Sequence, residues 1–399
     1  MEVTRQLLYR FARWEYLGLT LLVLASFAMH FGIIGTPPEP MFDEQHYIPD
    51  AQAIVEGHGE IRREHPPLGQ AMIAGGIILF GDNAIGWRFF PVVFGGFGII
   101  FFYLICGRLG MGQWAALPAT FLYTFEVLAF VQSSIAMLDV FSVTFMLAAF
   151  WLYLRGSYAL SGTAICLSTL AKLTGAMGLL VIVAHWLMAK RDRSIRFSFS
   201  MMLAPLLFLA MLPVLDYVLT GQIVNPLGRS IGMLTASSGV TFSDVVHPSA
   251  SRPWEWLLVT EMIPYWWEPP YIATISYTVS VLIIPTMAYM SYEARKGNAI
   301  GLFAVAWFAC TYLIWIPLSI ITDRMTFVYY FYPTIGAVCL GLGWAIFRLI
   351  GARKANGSRR FRLVIIGTIC YLVLHLAIFV IITPVFSLSV TPDQILPRP

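Results

Sequence analysis

Apolar stretches of about twenty residues recur along this chain of 399 residues, separated by short charged loops. A helix of roughly twenty residues crosses the ~30 Å hydrocarbon core of a bilayer, where only helices and closed barrels satisfy their own backbone. The repetition therefore restricts the chain to an all-α polytopic membrane protein. Composition agrees, with 58% hydrophobic and 12% charged residues and a mean hydropathy of +0.75, where a soluble domain carries about a quarter charged residues. The pattern predicts eleven spans near 16–34, 85–107, 114–131, 138–155, 157–171, 174–189, 197–219, 271–291, 299–320, 325–350 and 362–385. The stretch 157–189 divides at Lys172-Leu173-Thr174-Gly175, because one continuous helix would leave Lys172 near mid-membrane at high cost. The first stretch is long for a signal sequence and no small-residue cleavage site follows it, so it reads as a retained helix.

Loop charge sets the expected orientation. With the N-terminus inside, seventeen of the 25 Lys and Arg residues fall on the cytoplasmic side, including Arg5, Arg10, Arg13, Lys190, Arg191, Arg193, Arg295, Lys296 and the basic loop around Asn356-Gly357-Ser358. An odd number of spans is what satisfies the positive-inside rule here. Most acids fall outside, so the outer face of the plasma membrane is where chemistry is expected. Residues 1–399 read as one transmembrane domain with two long outer segments, 35–84 and 220–270. The first carries a short amphipathic interfacial helix over Gln45–Val55, and the second carries clustered tryptophans suited to the headgroup zone.

Several classes are disfavoured. The basic residues are divided among short loops, which gives no nucleic-acid surface. Cys106, Cys166, Cys310, Cys339 and Cys370 are scattered through apolar spans, with the spacing of neither a disulfide framework nor a zinc site. No internal repeat of the kind that transporters show is visible.

The polar chemistry concentrates in the first outer segment. Phe42-Asp43-Glu44 is followed about twenty residues later by His65-Pro66-Pro67-Leu68-Gly69-Gln70. Adjacent residues on a turning backbone point apart, so one of Asp43 and Glu44 can act as a base while the other orients a partner or the substrate. On spacing alone a solvated acid pair explains them equally. A carboxylate partly screened from water has its pKa raised toward a useful range. Arg88, Lys172 and Arg324 also fall at outer helix ends, as does Asp139, and Tyr329 and Tyr330 lie one to two turns beyond Arg324. Each alone reads as a snorkelling interfacial residue. Together the cations could hold a phosphate, Arg by a forked contact and Lys as a point charge. Asp323 stands where it could orient Arg324, and His65 reads as a brace for the Pro-Pro turn.

These motifs resemble the first outer loop of the protein O-mannosyltransferases, a family of the C-type glycosyltransferase superfamily. The Arg88 helix, Leu138-Asp139, Ala171-Lys172-Leu173-Thr174-Gly175, Arg252-Pro253-Trp254-Glu255-Trp256 and Asp323-Arg324 through Tyr332-Pro333 extend the resemblance over about residues 40–335. It implies the C-type glycosyltransferase fold and inverting transfer of a sugar, mannose first, from a polyprenyl-phosphate donor to Ser or Thr of an exported protein acceptor. By the same resemblance Asp43 is the general base and Glu44 positions the acceptor. Arg88, Lys172, Arg324 and Tyr330 hold the donor phosphate, with His65, Asp139 and Arg252 in support. No cofactor and no metal are implied. The chain departs from the family in having Gln70 where a Lys is usual, and in lacking a luminal domain between the seventh and eighth spans. A lipid or glycan acceptor is the alternative reading, and a transporter or assembly protein the remoter ones.

Overall fold

The computed structural model describes residues 14–57, 62–189, 195–258, 261–354 and 359–385. Arg5, Arg10, Arg13, Lys190, Arg191, Arg193 and Asn356-Gly357-Ser358 lie outside the described residues. The rest is mostly helical, as the apolar periodicity requires. Among the described residues, seven helices are long and apolar enough to cross a bilayer: Tyr16–Ile33, Ala84–Arg108, Leu138–Arg155, Ile195–Thr220, Ala299–Thr322, Val328–Gly351 and Phe361–Ile382. An eighth span is made if Gln113–Thr124 and Val127–Ser134, bent by 56° at their junction, are taken together. Three shorter apolar helices, Leu68–Phe80, Tyr158–Ala171 and Leu173–Met188, complete the apolar set.

The helix Leu138–Arg155 is the centre of the bundle, with 78% of its span buried, whereas Phe361–Ile382 has only 17% buried and faces outward. Close approach at the centre depends on small residues. A Cβ at Gly336 would lie 2.2 Å from the Trp307 ring, and one at Gly76 would lie 2.1 Å from the Gly86 carbonyl oxygen. Trp307 is fully buried and its indole N–H donates to the Pro333 carbonyl at 2.8 Å, as a buried indole must.

Two segments differ from the sequence expectation. The stretch 68–80, read as part of an outer loop, is a helix begun by Pro66-Pro67 and packed on Ala84–Arg108 through Gly76. The expected span 271–291 is not one helix. Its first residues form the strand Tyr271–Ala273, paired antiparallel with Ile263–Trp266, and the helix proper runs Ile283–Arg295. The β-branched and aromatic residues of 263–273 suit a pleated ribbon as well as a lipid-facing helix, and Glu268-Pro269-Pro270 at the turn decides between them. The amphipathic helix expected at 45–55 is present as Glu44–Glu56, closed by Gly57 in the left-handed conformation at φ 72°, the usual helix stop.

The junction at Phe125-Glu126 is built rather than frayed. Glu126 is fully buried, and its carboxylate accepts from the Ala129 amide and from the Ser276 amide, each at 2.8 Å. One acid thereby caps the Val127–Ser134 helix and ties the break to the segment after the β-hairpin.

Candidate active site

The chain enters the first outer segment through Met41, which is fully buried, and turns sharply at Phe42, a non-glycine residue at φ 50°. Asp43 and Glu44, successive residues at the start of the helix Glu44–Glu56, point in different directions, as the sequence implied. Asp43 lines a cavity of about 350 Å³, together with His46, Tyr47, Asp50, His65, Arg324 and Tyr330. Val240, Val245 and His247 of the second outer segment form the opposite wall.

Glu44 does not reach the cavity. It is fully buried, and one carboxylate oxygen accepts from Arg88 Nε at 2.9 Å and the Ala136 amide at 2.8 Å. The other accepts from Arg88 Nη2 at 2.8 Å and the Met41 amide at 3.0 Å. Arg88, also fully buried, gives its remaining donors to the carbonyls of Ile34, Pro37 and Glu39. Glu44, expected at the acceptor, and Arg88, expected at the donor phosphate, are thus turned to each other, and neither lines the cavity. A guanidinium at the start of an apolar helix needs a full set of acceptors, and here the chain leading into the first outer segment supplies them.

Lys172 and Asp139 form a second buried pair, with Nζ 2.7 Å from Oδ2. The ammonium lies 5.6 Å from the centre of the Tyr329 ring and 5.9 Å from that of Tyr330. Lys172 and Asp139 thus sit behind the tyrosines and outside the cavity lining. Arg324 does face the cavity. Its guanidinium is 5.8 Å from the centres of the Trp315 and Tyr330 rings, which stack on each other at 4.9 Å. The expected Asp323–Arg324 partnership is absent, because Asp323 pairs instead with Arg252 at 2.6 Å and accepts from the Ser243 amide and hydroxyl. Arg252 is further engaged with Ser319 and stacks over Phe242 at 3.9 Å, which places it in the frame of the site.

Strapping holds the second outer segment over the cavity. The Met325 amide donates to the Val240 carbonyl, the Phe242 amide to that of Asp323, and the Ser251 amide to that of Thr326, each at 2.9 Å. Arg229 donates to the carbonyls of Arg63 and His65 and pairs with Asp216 at 3.3 Å. The His-Pro-Pro turn is thus pinned from the far side of the chain, which no local spacing could indicate.

Electrostatics separate the groups around the cavity. Burial raises the Asp43 carboxyl above the ordinary carboxylate range, with the Lys172 charge opposing and the Asp139 charge reinforcing the rise. Burial pushes His65 down to about 3, helped by the charges of Lys172, Arg324 and Arg229, so it stays a neutral imidazole at pH 7. It packs edge-on against Tyr47, whose hydroxyl is 3.4 Å from Nε2. Asp50, not singled out from the sequence, is also raised by burial and accepts from the Arg62 amide and from Gln70. Gln70 donates from its amide nitrogen to Asp50 at 2.8 Å.

Residues 64–217 match the family model described as dolichyl-phosphate-mannose-protein mannosyltransferase. The resemblance read from the sequence is borne out over these residues. The polyprenol-phosphate-mannose–protein mannosyltransferase of Mycolicibacterium smegmatis is 34% identical over 143 residues, covering 33% of this chain and 28% of that protein. The Mycobacterium tuberculosis protein of the same name is 32% identical over 148 residues, covering 35% and 28%. The match thus spans under a third of the length of these relatives. The fold likeness is wider. A chain of the Saccharomyces cerevisiae protein O-mannosyltransferase Pmt1-Pmt2 complex, bound to the sugar donor, superimposes with a TM-score of 0.76 at 11% identity, covering 94% of this chain and 90% of that one. ArnT from Cupriavidus metallidurans, bound to undecaprenyl phosphate, gives 0.62 at 17% identity, with 83% and 60% covered. The chain shares the fold of these two proteins.

Proposed function

We propose that this protein is an inverting glycosyltransferase, moving mannose from a polyprenyl-phosphate carrier to Ser or Thr hydroxyls of exported proteins. The observation that carries this reading is a half-buried Asp43, its carboxyl pKa raised by burial, in the same cavity as Arg324, whose guanidinium lies against the Tyr330 ring. The named substrates of the relatives and the polyprenyl-phosphate ligand of a fold neighbour support the donor class.

Chemically, the acceptor O–H gives its proton to the Asp43 carboxylate as its oxygen attacks the anomeric carbon. The bond from that carbon to the phosphate oxygen breaks on the opposite face, with inversion. The electron pair leaves with the polyprenyl phosphate, a stable anion that needs no proton. Arg324 receives the growing charge on the phosphate, a contact strongest where water is excluded. Lys172 contributes a positive charge from behind Tyr329 and Tyr330, and its larger effect is on Asp43. The reaction takes no metal ion and no cofactor.

Arg324→Ala should weaken apparent donor affinity roughly ten- to a hundredfold, the worth of a charge-assisted hydrogen bond of ~1.5–3 kcal/mol. Arg324→Lys should recover part of that, since an ammonium cannot make a forked contact. Titrating polyprenyl-phosphate mannose against initial rate reads both, and an unchanged donor KM in Arg324→Ala would move the phosphate elsewhere.

The architecture supports eleven crossings, counting the three shorter apolar helices, the bent pair and Ile283–Arg295 with the long spans, less Leu68–Phe80, which lies in the first outer segment. The cavity then opens on the outer face of the plasma membrane. In a background with its native cysteines replaced by serine, Val246→Cys, 97% exposed, should react with an impermeant maleimide from outside intact cells. Lys296→Cys should react only after permeabilisation. The reverse pattern would refute the orientation.

A further inference from the structure

Among the described residues, two that are not glycine hold a left-handed backbone, Phe42 at φ 50° and Asp323 at φ 52°. Each stands immediately before a charged residue of the cavity, Asp43 and Arg324. Such conformations persist only where the surroundings over-determine them. For Asp323 the reason is local, since a short polar side chain tolerates this region and its carboxylate is engaged by Arg252 and Ser243. Phe42 has no such help, because a benzyl side chain makes no hydrogen bond to its own turn.

Packing holds it instead. The Phe42 ring stacks on Tyr265 with centroids 4.0 Å apart and planes at 17°, and meets Tyr329 edge-on at 5.8 Å and 83°. Tyr265 belongs to the strand Ile263–Trp266, far along the chain, and is itself buried. Its hydroxyl accepts from Gln132 Nε2 at 2.7 Å, and Gln132 is fully buried on the Val127–Ser134 helix. A chain of contacts therefore runs from the bundle through Gln132 and Tyr265 to the turn that leads into Asp43 and Glu44. Tyr265 itself is not among the residues lining the cavity.

We infer that Tyr265, anchored by Gln132, is a positioning residue for the transfer: by stacking on Phe42 it holds the left-handed turn that aims Asp43 at the acceptor hydroxyl while Glu44 stays with Arg88. This rests on the reading of Asp43 as the base, and gives the β-hairpin of the second outer segment a part in catalysis without contact with sugar or phosphate. A stacked ring fixes the carboxylate without adding a charge near it, and misplacement by about 1 Å can cost ~10² in rate.

The test measures kcat and KM with polyprenyl-phosphate mannose and a Ser/Thr peptide. Tyr265→Ala should lower kcat by ~10²-fold and leave the donor KM within about threefold, while Tyr265→Phe, which keeps the stack, should stay within about threefold of wild type. Phe42→Leu leaves the hairpin and Tyr265 intact but removes the stacking ring, and should reproduce the loss even if Tyr265→Ala folds poorly. In an Asp43→Asn background, Tyr265→Ala should cost nothing further, because a residue acting through Asp43 has nothing left to position. The inference is overturned if Tyr265→Ala and Phe42→Leu both keep wild-type kcat, if Tyr265→Phe falls as far as Tyr265→Ala, or if Tyr265→Ala slows the Asp43→Asn enzyme as much as the wild type. An Asp43→Asn enzyme with wild-type turnover would instead overturn the assignment of the base itself.

Discussion

Replacing Asp43 by Asn should lower kcat by ~10²–10⁴, the usual worth of a placed general base. The amide keeps the size of the side chain and can still accept a hydrogen bond, but it cannot take the acceptor's proton. The donor KM should change little, since the phosphate is assigned to Arg324 on another element. The wild-type pH profile should carry an acid limb in kcat/KM set by the same group. Asp43 must be ionised to work, and burial raises its pKa above the ordinary 3.8. Activity is therefore lost as pH falls through a value above 3.8, earlier than an exposed aspartate would dictate, and Asp43→Asn should lack that limb. Retention of more than a third of wild-type turnover, or an unchanged limb in the variant, would assign the base to another acid, with Asp50 the next carboxylate in the cavity.

The second large effect falls on folding. Arg88→Ala should leave Glu44 buried with a charge and no cation, and removing one partner of such a pair costs ~3–5 kcal/mol. Against a total stability of about 5–15 kcal/mol, the variant should appear mostly as aggregate in detergent. Both side chains are fully shielded, so solvent offers no relief. Glu44→Gln should be milder, because the amide oxygen still accepts from Arg88 while only the charge is lost. Arg324→Ala, by contrast, should give a monodisperse protein of wild-type thermal stability. Size-exclusion profiles and thermal unfolding of the three variants separate these outcomes. A well-folded Arg88→Ala protein with weakened donor binding would return Arg88 to the phosphate site.

The contrast between Arg88 and Arg324 shows why a linear count of cations misleads. Both stand beside aromatic residues near the ends of apolar stretches, and both fit a phosphate site on that ground. Five donors on Arg88 are taken by Glu44 and three carbonyls of the entering chain. Arg324 lies against ring faces, Trp315 and Tyr330, and lines the cavity. Asp323 gave the same false lead, being adjacent in sequence to Arg324 but paired with Arg252 across 71 positions. Phe42, Tyr265 and Asp50 carried no separate signal, because an aromatic or an acid in a loop is common and its role here depends on what lies against it.

What the sequence by itself determined is the class of solution. Apolar stretches of bilayer length admit only self-satisfied helices, and Phe42-Asp43-Glu44 with His65-Pro66-Pro67 marks the chemically distinctive segment of the chain. Both follow from local facts, namely backbone hydrogen bonding in lipid and the rigidity of a Pro-Pro turn. Tertiary structure decided which of two adjacent acids lines the cavity, which of three cations lines it with that acid, and that 271–273 pairs as a strand while 68–80 coils as a helix. Those outcomes depend on partners distant in sequence: Ala136 and Arg88 on Glu44, Tyr265 on Phe42, Arg252 on Asp323. A buried charge takes whichever counter-charge the packed bundle brings within about 3 Å, and sequence spacing does not record that distance.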